Sequence, residues 1–213
     1  MKRLLLAALA LLGLTAAAGA ADVAALVKQL KNSDPDLRRA AAKELGEAGA
    51  DAKPAITALA DALKDKDLFV RRFAAQALGE IGPDAKSAVK PLSEALGDSK
   101  KEVAQAAATA LGKIGAAEPL AAFAGDTRKD TSARRKAIEA LGQMKADAKP
   151  AVPALTTALK DKELRIEAAE ALGEIGPEAS SALKELQAIA DDKKERDRNF
   201  KKVVSEAIKK IKQ

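Results

Sequence analysis

The sequence predicts an all-α protein, a right-handed solenoid built from about six helical hairpins. Three observations predict it: a dipeptide at a nearly fixed period, an apolar stripe at helical spacing around each copy, and helix-terminating residues between copies. The dipeptide Leu-Gly has its leucine at 45, 78, 111, 141 and 172, and a degenerate copy has Ile208. The spacings are 33, 33, 30, 31 and 36 residues. Such a period is typical of solenoids, in which each unit buries its apolar face against the next.

The first twenty residues form a separate element. Lys2 and Arg3 precede an apolar run over residues 4–14, and small residues follow it up to Ala20. This order predicts a signal peptide over residues 1–20, cleaved after Ala20, and therefore an exported protein that is periplasmic or extracellular. The alternative is an uncleaved anchor, because residues 4–21 just reach the length that spans a bilayer.

Residues 21–213 are predicted to form one solenoid domain, since no Gly/Ser-rich or Pro-rich linker divides them. In each unit, apolar residues lie 8 and 4 positions before the reference leucine, at it, and 3 positions after it. These offsets place them on one face of an α-helix, the second helix of the unit. A first helix with its own leucines, such as Leu59 and Leu63, lies upstream in the chain. Two helices joined by a short polar turn form a helical hairpin.

Glycine and aspartate mark where the second helices end and begin. A glycine four residues after the reference leucine is predicted to close the helix in a left-handed conformation. These glycines are Gly49, Gly82, Gly115 and Gly176. An aspartate eleven residues before the reference is predicted to cap the helix N-terminus. These aspartates are Asp34, Asp67, Asp130, Asp161 and Asp197.

An arginine stands four residues after most of these aspartates, in the pairs Asp34 and Arg38, Asp67 and Arg71, Asp130 and Arg134, and Asp161 and Arg165. With Ala-Ala-x-x-Leu-Gly behind it, this pattern resembles HEAT repeats, particularly the short type named after phycobilisome lyases, over nearly all of residues 22–213. The resemblance implies that these residues form a structural ladder between neighbouring repeats. The third repeat has Lys100 and Ala104 at the ladder positions, so we expect the ladder to break there.

The net charge of +6 is concentrated at the C-terminus, where residues 193–213 hold nine basic and three acidic residues. A charged terminal helix is typical of the cap that closes a solenoid, and residues 193–213 are predicted to form one. The alternative is that this basic helix contacts an anionic membrane surface or polyanion, which would suit an envelope-associated structural protein. No interleaved aromatics suggest base stacking, so no nucleic-acid partner is expected.

The composition excludes most catalytic chemistry. The chain has no His, Cys, Tyr or Trp, so it offers no imidazole base, no thiolate nucleophile and no zinc site of the ordinary ligand type. We therefore predict a monomeric, non-catalytic scaffold without a cofactor or metal, whose partner is a protein or peptide. The alternative, suggested by the resemblance, is a lyase-like or chaperone-like accessory protein.

The face lined by the second helices is the expected contact surface. Six residues before the reference leucine, Arg39, Arg72 and Arg135 would form a cationic stripe suited to acidic partners, unless they belong to an ordinary solvated face. Phe69 and Phe73 lie where other copies are mostly polar or small, four residues apart on one helix face. They would anchor a partner if both rings are exposed. If both are buried, they fill space between repeats.

Overall fold

The computed structural model describes residues 23–213, and all of its regular elements in that range are helical. The predicted signal peptide over residues 1–20 lies outside the described residues, as does the predicted start of the domain at residue 21. Within residues 23–213, none of the helices combines the length and the apolar composition that crossing a membrane requires.

The helices of the described range follow one another as six hairpins, which confirms the predicted all-α solenoid. The first helices of the hairpins are α1 (residues 23–29), α3 (Ile56–Ala62), α5 (Val89–Ala95), α7 (Ala117–Gly125), α9 (Val152–Ala158) and α11 (Leu183–Asp191). The second helices are α2 (Pro35–Glu47), α4 (Leu68–Ile81), α6 (Lys101–Ile114), α8 (Thr131–Gln143), α10 (Arg165–Ile175) and α12 (Arg198–Ile211). The last helix begins at Arg198, so the prediction of a helix from residue 193 was five residues too long.

A 3₁₀ segment leads directly into the first helix of four repeats. Each segment buries two alanines three residues apart, which share one face of a 3₁₀ helix. The fourth repeat lacks this segment, and α7 starts two residues after Gly115. The four segments are Gly49–Ala55, Gly82–Ala88, Lys145–Ala151 and Gly176–Ala182.

The predicted helix ends are confirmed, with the exception of the cap at Asp161. The four closing glycines all have positive φ, and in the fourth repeat Lys145 adopts φ 53° at the same position. A side chain in this conformation costs about 1 to 2 kcal/mol, because its Cβ crowds the backbone. The aspartates cap α2, α4, α8 and α12 through backbone N–H groups. Asp161 does not cap α10, since that helix begins at Arg165 and Asp161 accepts from Glu163 in the preceding turn.

The apolar stripe of the second helices forms the core. The five reference leucines are completely buried, and so is every residue four positions before a reference residue. Leu37 departs from the pattern with 43% exposure, because no further repeat among the described residues covers the outer side of the first hairpin. Its counterparts Val70, Val103, Leu164 and Phe200 are buried.

The glycine of the Leu-Gly dipeptide lets neighbouring second helices approach closely. A Cβ on Gly79 would lie 3.0 Å from the Cα of Ala110, the residue before the next reference leucine. The same contact would be 3.1 Å at Gly142 and 3.0 Å at Gly173. At Gly112, between the third and fourth repeats, the nearest atom of another repeat would be 3.7 Å away. The second helices are therefore less tightly packed at this junction.

The arginines seven residues before each reference leucine form the predicted ladder between repeats, but some of them bind carboxylates other than the predicted aspartates. Arg38 donates to both carboxylate oxygens of Asp65, at 2.7 and 2.9 Å, and Arg71 binds Asp98 in the same way. Asp65 lies two residues before the predicted Asp67, and Asp98 lies two residues before Lys100, where the third repeat has no predicted aspartate. Asp34 and Asp130 bind no arginine of a neighbouring repeat among the described residues, so their assignment to the ladder was wrong. In the C-terminal half, Arg134 binds Asp161, and Arg165 binds Glu195 and Asp197.

The ladder is interrupted between the third and fourth repeats, as the third repeat's departure from the pattern predicts. Ala104 offers no donor, and Arg128 occupies the acceptor position of the fourth repeat. Within residues 23–213, at least one salt bridge joins each of the remaining four pairs of adjacent repeats, but none joins the third repeat to the fourth. A cleft of about 640 Å³ lies at this junction, with Phe123 in its wall.

Candidate partner-binding groove

A groove of about 700 Å³ runs across the second helices of the first three repeats. All of its lining residues belong to α2, α4 and α6. Its floor is made of small residues at the close helix contacts, including Gly46, Ala77, Ala106 and Ala110. Because small residues keep the helices near one another, one groove spans all three second helices, which suits an extended chain better than a compact ligand. We call it the second-helix groove.

Polar side chains along the second-helix groove divide into paired and unpaired groups. Lys113 binds Glu80 at 2.7 Å, so the two neutralise each other across neighbouring repeats. Gln76, Gln105 and Thr109 are exposed and make no side-chain hydrogen bond to the described part of the chain. Their donors and acceptors are therefore free for a bound partner.

Two arginines of the predicted cationic stripe are held by carboxylates. Arg39 donates to Asp36 at 2.8 Å and, through Nε, to Asp67 of the next repeat at 2.9 Å. This bond from Arg39 holds the pKa of Asp67 well below its ordinary value, although burial opposes the shift. Arg135 donates to Glu167 of its next repeat at 2.6 Å. Both guanidiniums therefore tie adjacent repeats together, and neither contributes an unpaired charge to the stripe.

Arg72 is the exception within the stripe. It forms no salt bridge to any described residue, and its Nε is buried without a hydrogen-bond partner. The guanidinium carbon lies 5.2 Å from the centre of the Phe69 ring and 4.7 Å from that of Phe73. Arg39 lies 5.1 Å from the Phe69 ring, so the phenyl group is flanked by two guanidiniums. Both arginine contacts are within the range of cation–π attraction.

The two phenylalanines differ in exposure. Phe69 is 39% exposed, one of the few large apolar side chains in residues 23–213 that faces solvent. Phe73 is half-buried, lines the second-helix groove and packs against the hydrophobic core. The expectation of two exposed rings is therefore met by Phe69 alone, and Phe73 supports Arg72 from within the structure.

Glutamates are concentrated on the C-terminal half of the same face, which the sequence analysis did not single out. Glu167, Glu170 and Glu174 lie along one face of α10 and line a smaller groove of about 400 Å³. Burial and the neighbouring carboxylate of Glu167 raise the pKa of Glu170 above its ordinary value. Spacings of three and four residues between glutamates were the available signal, but similar spacings occur on ordinary solvated helix faces.

The charged residues of the described range do not assemble a metal site. Among residues 23–213, no group of three or more His, Cys, Asp or Glu side chains is arranged to hold an ion. Acidic residues such as Asp67 and Glu167 instead cap helices or pair with basic residues of adjacent repeats. The groove presents charged, hydrogen-bonding and aromatic side chains.

The hairpins, the buried leucines and the ladder define an α-solenoid scaffold, and the chain belongs to the HEAT-repeat family. The model for HEAT repeats matches residues 23–87, 56–131 and 126–200 in overlapping segments. Among curated proteins, no sequence matches the chain significantly.

Solved structures with the same fold are repeat solenoids. One is an engineered protein with 27% sequence identity and a TM-score of 0.55, covering 90% of this chain and 96% of that one. A designed armadillo repeat protein in complex with the peptide (KR)4 has 18% identity and a TM-score of 0.55, covering 89% and 99%. The complex of CpcE and CpcF of phycocyanin lyase from Nostoc sp. has 22% identity and a TM-score of 0.53, covering 89% and 94%. The last two likenesses concern the fold alone.

Proposed function

We propose that this protein is an exported, non-catalytic HEAT-repeat scaffold that binds a protein or peptide through the face formed by its second helices. The observation that carries the proposal is the second-helix groove, which crosses three helices and presents the unpaired side chains of Gln76, Gln105 and Thr109. A peptide backbone in such a groove would satisfy these amide and hydroxyl groups, while the small residues of the floor allow close contact. A designed armadillo repeat protein of the same fold was solved with a peptide, which is the kind of partner proposed here.

Export rests on the N-terminal sequence. Two basic residues, an apolar run and the small residues up to Ala20 are the signals of a secreted precursor. Cell fractionation and N-terminal sequencing test this directly. A mature protein that begins at Ala21 outside the cytoplasm supports export. A protein that keeps Met1 in the membrane fraction would show an anchor instead.

Site-specific photocrosslinking tests the binding face. A photoreactive amino acid at Gln76 lies in the second-helix groove, whereas one at Lys90 lies at an exposed position of α5, a first helix. We expect a discrete protein adduct from the position of Gln76 and none from that of Lys90. Equal adducts from both positions, or an adduct from Lys90 alone, would refute the assignment of the face.

A further inference from the structure

The partner that fits the second-helix groove can be narrowed by comparing the same register position in different repeats. Arg39, Arg72 and Arg135 each lie six residues before their reference leucine. Arg39 and Arg135 reach forward to a carboxylate of the following repeat, at 2.9 and 2.6 Å. A guanidinium at this position is therefore normally neutralised by the next hairpin.

In the third repeat, which follows Arg72, neither of the two corresponding acceptor positions holds a carboxylate. The residue that corresponds to Asp67, the acceptor of Arg39, is Lys100, because both lie eleven residues before their reference leucine. The residue that corresponds to Glu167, the acceptor of Arg135, is Ala106. At the positions where Arg39 and Arg135 find a carboxylate in the next repeat, Arg72 therefore meets a cation and a methyl group.

The surroundings hold Arg72 in place without neutralising it. Phe69 and Phe73 lie within 5.2 and 4.7 Å of its guanidinium carbon, and the ring faces restrict the side chain at little cost in hydration. Its Nε is buried and lacks a partner. The terminal guanidinium nitrogens of Arg72 also lack partners among the described residues but are not buried, so a bound carboxylate would pair with them.

Glu102 is the one nearby group that could compete for Arg72. It lines the same groove from α6, but it forms no salt bridge to any described residue. The other charged residues of the groove are paired locally, Lys43 with Glu47 at 3.5 Å and Lys113 with Glu80 at 2.7 Å. Among the cations that line the groove, Arg72 is therefore the one without a carboxylate partner among the described residues.

We infer that Arg72 binds an aspartate or glutamate side chain of an extended segment of a partner protein, which takes the place of the carboxylate missing from the third repeat. This inference rests on the proposed function and names the chemistry of its partner. The exposed Phe69 ring would cover an apolar residue beside the acidic one, and Gln76 and Gln105 would bind the segment's backbone. An extended segment fits better than a small anion, because the groove spans three helices and extends to both sides of the helix that carries Arg72.

Random nonapeptides displayed on phage, selected on the purified protein, provide the probe. We expect the enriched peptides to share one acidic position beside an apolar residue. Replacing that acidic residue by its amide in a synthetic peptide should weaken binding about tenfold or more, measured by fluorescence anisotropy. On the Arg72→Gln variant the same peptide change should matter less than about twofold, because the interacting pair is already broken.

Two further variants and one control keep the test independent of any folding defect in Arg72→Gln. Lys100→Asp restores the carboxylate of the other repeats and should abolish the preference for an acidic peptide, since Arg72 would then be neutralised internally. Glu102→Gln removes the competing carboxylate and should tighten binding severalfold. Lys90→Gln removes one positive charge outside the groove and should leave the peptide affinity unchanged. Circular dichroism confirms that each variant is folded.

Three outcomes overturn the inference. Arg72 is not the site if the enriched peptides share no acidic position. It is also not the site if replacing the acidic residue of the peptide by its amide weakens binding to Arg72→Gln as much as to the unaltered protein. In both cases the binding face itself remains supported. A dimer in sedimentation that disappears in Arg72→Gln shows that the occupant is a second copy of this chain. If no peptide is enriched and Gln76 yields no crosslink, the proposed function fails together with the inference.

Discussion

Replacing Lys100 by aspartate should stabilise the solenoid, because it repairs two defects of the third repeat at once. Lys100 is the N-cap residue of α6, with an extended backbone (φ −102°, ψ 115°) and no side-chain hydrogen bond to the helix. In the second repeat the equivalent Asp67 accepts from the N–H groups of Phe69 and Val70, at 2.9 and 3.1 Å. The two loops are alike, since the backbone N–H of Lys100 binds Asp98 as that of Asp67 binds Asp65.

The magnitude follows from three contributions. An aspartate N-cap contributes about 1 kcal/mol relative to a residue that cannot cap. Exchanging a cation for an anion at a helix N-terminus contributes about 0.3 to 1 kcal/mol. A partly exposed ion pair with Arg72 contributes about 0.2 to 1 kcal/mol. Together they amount to about 1.5 to 3 kcal/mol, which in a chain of this size raises Tm by roughly 3 to 12 °C.

Thermal and urea unfolding of matched variants separate these contributions. Lys100→Asn supplies a cap without a negative charge, and Lys100→Ala removes the positive charge without supplying a cap. We expect stability to rise from Ala to Asn to Asp, and the difference between Asn and Asp to shrink when Arg72 is also replaced by Gln. If Asp is no more stable than Asn, the proposed pairing with Arg72 is refuted. If Asp is no more stable than Ala, the equivalence of the two loops is refuted as well.

The remaining predictions concern the contacts between repeats and the turns. Gly79→Ala should destabilise the fold by about 1 to 3 kcal/mol through its 3.0 Å contact, whereas Gly112→Ala, with 3.7 Å of clearance, should stabilise it by about 0.5 to 1 kcal/mol; urea unfolding compares the pair. Arg71→Ala should cost about 1 to 3 kcal/mol, because it leaves partly buried acceptors unpaired, and the loss should appear as a lower urea midpoint. Lys145→Gly should raise Tm, since glycine relieves the positive φ; an unchanged or lower Tm would contradict this. Burial opposes ionisation of Asp98, but hydrogen bonds from Arg71 and a backbone N–H outweigh it and lower the pKa of Asp98, so its contribution is present above about pH 4 and is lost as the pH falls further. Asp98→Asn should therefore make unfolding less pH-dependent below about pH 4.

The ends of the second helices illustrate how far sequence alone extends. The capping aspartates and closing glycines of most repeats were predictable because each acts on backbone groups within a few residues of itself. The prediction that Asp161 caps α10 was wrong because Lys162 to Leu164 form a separate turn before that helix. The distance of eleven residues from the reference leucine does not reveal such a turn.

Periodicity determined the fold, since a stripe of leucines at a constant spacing can be buried only by stacking one hairpin on the next. The partners of the arginines were decided by the tertiary structure. Aspartates two residues apart, such as Asp65 and Asp67, are equally good acceptors in the sequence, and only the relative placement of adjacent hairpins sends Arg38 to one and Arg39 to the other. The same holds for Arg72, which resembles Arg39 in sequence and differs from it because an ion pair between repeats depends on what the next hairpin places within reach of the guanidinium.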